Sequence, residues 1–220
     1  MFYASDANDH GLTYNPIKAC VVPRPIGWIS TISAAGVVNL APYSFFNVLS
    51  YDPAYVTFSA GSRPEDGGIK DSAINAEATG EFVYNMATWA QRLQMTETAL
   101  ITDRGTDEMA AGLDGLPSRL VRPPRVKGSP VHFECVHHQT VVLPERSPGK
   151  NHHMVIGRVV GVHIDDEVLT ADGLVDVLKI RPIARLGYKD YTSVESFFSM
   201  PKWSPEDAPR DIGSASDAAE

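Results

Sequence analysis

Residues 23–61 restrict the fold more than any other stretch, because strand-forming runs alternate there with turn and proline signals. Residues 26–33 alternate as a strand does, residues 34–36 are typical of a hairpin turn, and residues 37–40 predict the returning strand. An aromatic, proline-interrupted segment follows at 41–47 and is predicted to be irregular. The pattern indicates a binding site on an antiparallel hairpin, although a half-buried strand with a well-packed loop explains it equally well.

The rest of the chain adds short strands and a few helices. Strands are predicted at 17–22, 55–59, 82–85, 131–143, 153–164 and 177–182, and helices at 70–79 and 90–101. Asp71 or Ser72 can cap the first helix, and Gly80 stands where its C-terminus favours glycine. Residues 102–130 predict a loop with one short helix near Glu108, and residues 144–151 a hairpin loop. The sum is a mainly β fold with helical additions, which is typical of an antiparallel β-barrel.

Length, charge and hydropathy restrict the class of protein. The 220 residues suffice for one domain, predicted over 1–200, and the polar residues 201–220 predict a disordered tail. A net charge of −8 argues against nucleic-acid binding, since the phosphate backbone would be repelled. The chain has no apolar run long enough to span a bilayer and no secretory signal pattern. Cys20 and Cys135 are expected to be reduced thiols in a cytoplasmic protein, with one disulfide as the alternative.

The predicted helix start at residue 70 has the groups of a phosphate site. Backbone N–H groups, the positive end of the helix dipole, the Lys70 ammonium and the Ser72 hydroxyl come close together. Arg63 on the preceding loop can add a bidentate contact. Asp71 would repel a phosphate, so it is expected to cap the helix or to orient Lys70. A solvated helix start with surface charges explains the same residues.

A set of short motifs occurs in order along residues 14–192. They are Arg24-Pro25, Trp28-Ile29-Ser30-Thr31, Asn39-Leu40-Ala41-Pro42, Ser44-Phe45-Phe46-Asn47, Asp52-Pro53, Lys70-Asp71-Ser72 with Asn75, Thr79-Gly80-Glu81-Phe82-Val83 with Asn85, His153 with Val155-Ile156-Gly157 and Val159, and Arg185-Leu186-Gly187 with Tyr191. Together they resemble the flavin reductase-like family, FMN-binding split-barrel proteins that include NAD(P)H:flavin oxidoreductases serving two-component monooxygenases. The resemblance implies an antiparallel Greek-key split β-barrel that binds FMN, with FAD as the alternative flavin.

The resemblance also implies which residues hold the flavin. The ribityl phosphate would lie at residues 70–72, and the isoalloxazine ring against residues 39–47. The residues expected to bind the cofactor are Arg24, Trp28, Ser30, Thr31, Ser33, Asn39, Ala41, Pro42, Ser44, Phe45, Phe46, Asn47, Arg63, Lys70, Asp71 and Ser72. At least one of Phe45 and Phe46 is expected to be only a core residue. His153 is expected to face the nicotinamide as the catalytic residue, although the adjacent His152 leaves open which of the two faces the flavin.

The activity that the resemblance implies is hydride transfer from NADH or NADPH to N5 of FMN. The reduced flavin would then pass to a separate flavin-dependent monooxygenase or to another acceptor. Two alternatives stay open: an electron carrier that binds FMN tightly and does not release it, and a non-enzymatic flavin-binding module. The choice among FMN, FAD and riboflavin, and between NADH and NADPH, is also open.

Other chemistries are disfavoured by missing motifs. The chain has neither a Gly-x-Ser-x-Gly nucleophile elbow nor a Gly-x-Gly-x-x-Gly dinucleotide fingerprint. His132 and Glu134 resemble the H-x-E of zinc deaminases, but the partner Pro-Cys-x-x-Cys is absent. No metal is therefore expected.

Aromatic residues near the N-terminus predict self-association. They are Trp28, Tyr43, Phe45, Phe46, Tyr51 and Tyr55. One small barrel would have difficulty burying all six, and an exposed aromatic patch usually marks an interface. The strand at 155–164 also has few polar residues. A homodimer with its flavin sites near the subunit boundary is expected, as the resemblance also implies.

Overall fold

A seven-stranded antiparallel sheet dominates the computed structural model, which describes residues 1–63, 66–100, 106–109 and 112–200. In chain order the strands are β1 (Arg24–Pro25), β2 (Gly27–Ile32), β3 (Val38–Tyr43), β4 (Phe46–Tyr51), β5 (Ala54–Ala60), β6 (Glu81–Met86), β7 (Gly115–Leu116), β8 (Arg125–Val126), β9 (Val131–Pro144), β10 (Asn151–Ile164), β11 (Ile183–Arg185) and β12 (Tyr191–Ser193). The helices are α1 (Ile17–Cys20), α2 (Asp71–Thr79), α3 (Arg92–Glu97) and α4 (Val177–Ile180), with a 3₁₀ turn at Asp166–Val168.

The large sheet has the strand order β3-β2-β6-β9-β10-β5-β4 and curls into a barrel. Its curvature is seen in the core, because Tyr43 on edge strand β3 packs against Phe58 on β5, with ring centroids 5.0 Å apart. Ala73 and Ala76 of α2 belong to the same core cluster, so this helix closes the barrel interior. Strands β1, β11 and β12 form a second sheet, and β7 and β8 a third. The predicted mainly β, antiparallel barrel is confirmed.

Strand β2 is buried on both faces, so its hydroxyl-bearing residues Ser30 and Thr31 lie in the interior. Ile29 points into the barrel core, whereas Trp28 belongs to a second cluster with Met95, Val126 and Ile183. The predicted hairpin with the returning strand is confirmed, since β2 pairs with β3 from Gly27 opposite Tyr43 to Ile32 opposite Val38. This second cluster fills the space between the large sheet and α3.

Two predicted strands are wrong, because both segments form short helices. Residues 17–22 contain α1, which begins after Pro16 and whose Cys20 N–H donates to the Pro16 carbonyl. Residues 177–182 contain α4, whose N-cap Asp176 accepts a hydrogen bond from the Lys179 N–H at 2.9 Å. Short apolar runs do not distinguish a strand from a helix by periodicity, and in α4 the Asp176 cap favours the helix.

The aromatic segment at 41–47 is also more regular than predicted. Strand β3 continues through Pro42 to Tyr43, and β4 begins at Phe46. Proline is tolerated in β3 because this strand lies at the edge of the sheet, where a missing N–H breaks no ladder bond. The segment therefore belongs mostly to two edge strands joined by a short turn.

The remaining predictions divide between confirmation and correction. Helix α2 and the hairpin loop between β9 and β10 are confirmed, and Gly80 ends α2 in the left-handed conformation with φ 75°. Helix α3 is shorter than predicted, and β7 and β8 are short strands in a region predicted as loop. The predicted tail at 201–220 lies outside the described residues. In the described ranges, no helix has both the length and the apolar character needed to cross a bilayer.

Candidate functional site

Residues distant in sequence meet at the start of α2. The Asn39 side-chain amide donates to the Ser72 hydroxyl at 2.8 Å. Ser72 also hydrogen-bonds with the Tyr43 hydroxyl, and the Lys70 ammonium lies 5.7 Å from the centre of the Tyr43 ring. Burial raises the pKa of Tyr43, so its hydroxyl keeps its proton. The structure therefore brings the two predicted parts of the flavin site, 39–47 and 70–72, together.

The loop before α2 adds a second positive group beside the helix start. The Arg63 guanidinium lies 3.9 Å from the Asp71 carboxylate and 3.6 Å from that of Asp66. Asp71 therefore helps to orient Arg63. The expected cap by Asp71 or Ser72 is wrong, because the N-cap residue is Lys70 and no side chain makes the capping hydrogen bond.

Three basic side chains lie near the ring of Phe45. Lys18 Nζ and the Arg24 guanidinium each lie 5.9 Å from its ring centre, and the His152 ring centroid is also 5.9 Å away. Arg24 is buried and donates to the Lys18 carbonyl, while its Nε has no hydrogen-bond partner among the described residues. We call Lys18, Arg24, Tyr43, Phe45 and Lys70 the basic–aromatic cluster. Its positive charge contrasts with the net charge of −8 of the whole chain.

The two adjacent histidines of β10 point in opposite directions. His153 is buried, with 8% of its surface exposed, whereas the His152 side chain is 35% exposed. His152 Nδ1 lies 3.4 Å from the Ser59 hydroxyl, and its Nε2 lies 3.7 Å from the Glu145 carboxylate. A Cβ at Gly61 would approach the His152 ring to 2.9 Å, so glycine lets the ring lie against the backbone. His152 is therefore the histidine that borders Phe45.

Three residues expected to touch the flavin are fully buried and have internal partners. Trp28 Nε1 donates to the Thr98 hydroxyl at 2.9 Å, and Ser30 Oγ donates to a backbone carbonyl at 2.5 Å. Thr31 Oγ1 accepts from the Asn75 amide at 3.1 Å. These contacts give the three side chains a role in fixing β2 and α2. Direct contact with a cofactor stays a prediction for them.

The other predicted site residues lie around the hairpin and the edge strands. Phe46 stacks on Tyr84 with ring centroids 4.5 Å apart and packs against the barrel core, as expected for at least one of the two phenylalanines. Asn47 is exposed on β4, and its side-chain carbonyl accepts from the next backbone N–H. Ser33, Asn39 and Asp71 line a cavity of about 180 Å³ beside α2. Ala41, Pro42 and Ser44 are half-buried between these groups.

Sequence reasoning missed two members of the cluster. Lys18 was not predicted as a site residue because residues 17–22 were predicted to form a strand. The helical turn of α1 brings its side chain over Phe45. Tyr43 lies within the aromatic segment 41–47, but it was predicted only as a residue of the dimer interface. Its position between Pro42 and Ser44, in the segment assigned to the isoalloxazine ring, was the available signal.

A buried carboxylate, the glutamate of the H-x-E pattern, lies outside the cluster and has a structural role. Glu134 is fully buried and accepts the N–H groups of Arg119 at 2.8 Å and Leu120 at 2.6 Å. Burial by itself would raise the pKa of Glu134, but these bonds and the one from His163 Nε2 at 2.5 Å lower it overall. Glu134 thus anchors the 119–121 loop. In the ranges that the structure describes, no group of three or more His, Cys, Asp or Glu side chains is placed to hold a metal ion.

Comparison with known proteins identifies the class to which this fold and site belong. The family model for the flavin reductase like domain matches residues 19–184. The chain therefore belongs to the flavin reductase-like family. An uncharacterised protein of Aquifex aeolicus (strain VF5) is 35% identical over 196 residues, which cover 87% of this chain and 94% of that protein.

Solved structures agree on the fold. Nitrilotriacetate monooxygenase component B from Bacillus cereus is 25% identical, with a TM-score of 0.83 over 91% of this chain and 98% of that one. A flavin reductase-type protein with a split barrel domain from Shewanella frigidimarina NCIMB 400 is 21% identical, with a TM-score of 0.77 over 92% and 100% of the two chains. The barrel is therefore a split barrel of the flavin reductase type, and the family supports a role in flavin oxidoreduction.

Proposed function

We propose that this protein reduces FMN with NADH or NADPH and supplies reduced flavin to a separate oxygenase. The observation that carries the proposal is the basic–aromatic cluster, where Lys18, Arg24 and Lys70 surround two aromatic rings in an acidic chain. Positive groups beside aromatic rings suit a ligand that joins a phosphate to a flat ring system. The likeness to a monooxygenase component B supports an oxygenase as the partner.

The residues present fit FMN. Lys70 and the first N–H groups of the nine-residue α2 offer donors to the phosphate, and Arg63 lies beside them. The buried Arg24 Nε is a donor without a partner among the described residues, next to the Phe45 ring that would carry the isoalloxazine. Bound FMN supplies the hydride acceptor, and the nicotinamide supplies the hydride. The protein's own contribution is to hold the two rings in contact and to exclude water.

Activity with free flavin tests the proposal directly. The purified protein is expected to oxidise NADH or NADPH when FMN is added, at a rate that saturates with FMN. A yellow protein whose bound flavin is reduced but never exchanges with free FMN would instead be the electron carrier. Colourless protein that oxidises neither nucleotide, with or without FMN, would leave only the flavin-binding module.

The histidine pair gives a second test within the site. We place the nicotinamide contact at His152, because its ring borders Phe45 and Gly61 while His153 is buried. His152→Ala is expected to slow reduction of bound FMN by roughly tenfold to a hundredfold through lost positioning, with little change in flavin affinity. Stopped-flow bleaching of the flavin absorbance measures the rate. His153→Ala is the matched comparison: slowing in that variant alone would return the role to His153.

We also propose a homodimer that uses the edge strand β4. The barrel buries Trp28 and Tyr43, so the aromatic argument from the sequence is wrong for these two residues. The expectation that exposed apolar residues mark an interface applies instead to β4, an edge strand of the large sheet. Leu49 on β4 is 53% exposed and Tyr51 is 91% exposed. An apolar edge strand favours pairing with another chain, and a two-fold axis would use it twice. Phe45 lies directly before β4, so the interface would adjoin the flavin site.

A further inference from the structure

A second cavity lies on a different part of the molecule, between α3 and the sheet of β11 and β12. Its volume is about 210 Å³, and its walls include Trp89, Arg92, Leu93, Thr96, Ile183 and Tyr191. None of these residues belongs to the basic–aromatic cluster. A cavity of about 150 Å³ is enough to hold benzene, so this one has room for a single substituted ring.

One wall of the cavity carries a cation stacked on an aromatic ring. The Arg92 guanidinium lies 4.1 Å from the centre of the Trp89 ring and donates to the Trp89 carbonyl at 2.8 Å. Arg181 lies on the same ring at 5.2 Å, but Glu195 pairs with it. Arg92 has no carboxylate partner among the residues that the structure describes. Its remaining N–H groups are therefore available to an anion at the cavity.

Tyr191, another residue of the cavity wall, also carries a stacked cation, although that cation does not itself line the cavity. The Arg185 guanidinium lies 4.4 Å from the centre of the Tyr191 ring and donates to the Tyr191 hydroxyl and the Tyr188 carbonyl. Within the described ranges, no carboxylate pairs with Arg185 either. Arg92 is therefore the guanidinium group that an anion in this cavity would meet, in a chain that is acidic overall. Such a site suits a flat anion, because aromatic and apolar side chains contact its faces and Arg92 its charge.

We propose that this cavity binds a small aromatic carboxylate with a single ring. The ring would lie among Trp89, Leu93 and Ile183, and the carboxylate would accept hydrogen bonds from Arg92. The volume of about 210 Å³ suits one ring with its substituents. This site is independent of the proposed flavin reduction, because its residues and its ligand differ from those of the flavin site.

Calorimetric titration of the full chain with benzoate tests the proposal. Saturable binding is expected, and Arg92→Gln is expected to weaken it about tenfold or more. Arg158→Gln, an exposed arginine on β10, is the matched control and should bind as the wild type does. Leu93→Trp fills the cavity from an exposed position and should abolish binding without removing a core side chain. Thermal melts verify that each variant is folded.

Four results would overturn the proposal. They are the absence of saturable benzoate binding to the wild type, equal affinity in Arg92→Gln, equal affinity for benzamide, and displacement of benzoate by tighter-binding AMP. Equal affinity for benzamide would mean that the site does not distinguish a carboxylate from a neutral amide. Displacement by AMP would mean that the site binds a nucleotide. Because all these titrations measure binding without NADH or FMN, their failure is separate from any failure of the flavin reductase activity.

Discussion

Lys70→Ala is expected to weaken FMN binding roughly tenfold to a hundredfold and to leave riboflavin binding almost unchanged. The ammonium stands at the start of α2, where the proposed phosphate would also meet backbone N–H groups. Riboflavin has no phosphate, so it should not respond to the loss of this charge. Titration of both flavins into both proteins, followed by flavin fluorescence, gives the four affinities.

Lys127→Ala is the matched control for this experiment. Lys127 is an exposed lysine that pairs with Asp114 at 2.9 Å, away from the basic–aromatic cluster, and its loss should change neither affinity. If Lys70→Ala weakened FMN and riboflavin equally, Lys70 would not contact the phosphate. An effect on FMN alone would locate the phosphate at α2.

Leu49→Asp is expected to convert the proposed homodimer into a monomer and to reduce flavin affinity at the same time. A carboxylate at this exposed position of β4 would place like charges near each other across a two-fold interface. Sedimentation at micromolar protein should show the wild type at twice the chain mass and the variant at 23.9 kDa. FMN titration of the same samples tests the link between assembly and the site.

A matched variant separates the interface from a general effect of added charge. Leu174→Asp introduces the same charge at an exposed leucine outside β4 and should leave the dimer intact. A wild-type species of 23.9 kDa that binds FMN fully would show that one chain completes the site, and the dimer proposal would then be wrong.

Local signals in the sequence were sufficient for most of the sheet and for α2. The alternation in β2, the turn before β3 and the glycine after α2 are each determined by neighbouring residues, and all three predictions are confirmed. Helices α1 and α4 were missed because four-residue helices carry too little periodicity to distinguish them from strands. The regularity of the Pro42 segment depends on its place at a sheet edge, which only the tertiary structure defines.

The candidate site was predictable as two groups of residues but not as an arrangement. Asn39 and Ser72 are separated by 33 positions, and their hydrogen bond depends on how α2 lies across the barrel. The sequence could not reveal that β2 is covered on both faces, so the full burial of Trp28 was not predicted, and its contact with a cofactor stays a prediction. The position of the Lys18 side chain near Phe45 depends on the helical turn of α1, which was predicted from the sequence as a strand. Packing of the whole barrel decides which side chains stay accessible.

The anchoring of a surface loop by Glu134 has a consequence for local motion. Arg119 and Leu120 have exposed side chains and lie in no strand or helix, yet their N–H groups are bonded to a carboxylate in the interior. Hydrogen exchange at these amides requires Glu134 to release them, so they should exchange as slowly as amides in the neighbouring strands. The pKa of Glu134 is lowered in the folded protein, so this protection persists at neutral pH and is lost as acid protonates the carboxylate. A loop whose composition is typical of a mobile segment is thus expected to exchange as slowly as the strands of the barrel.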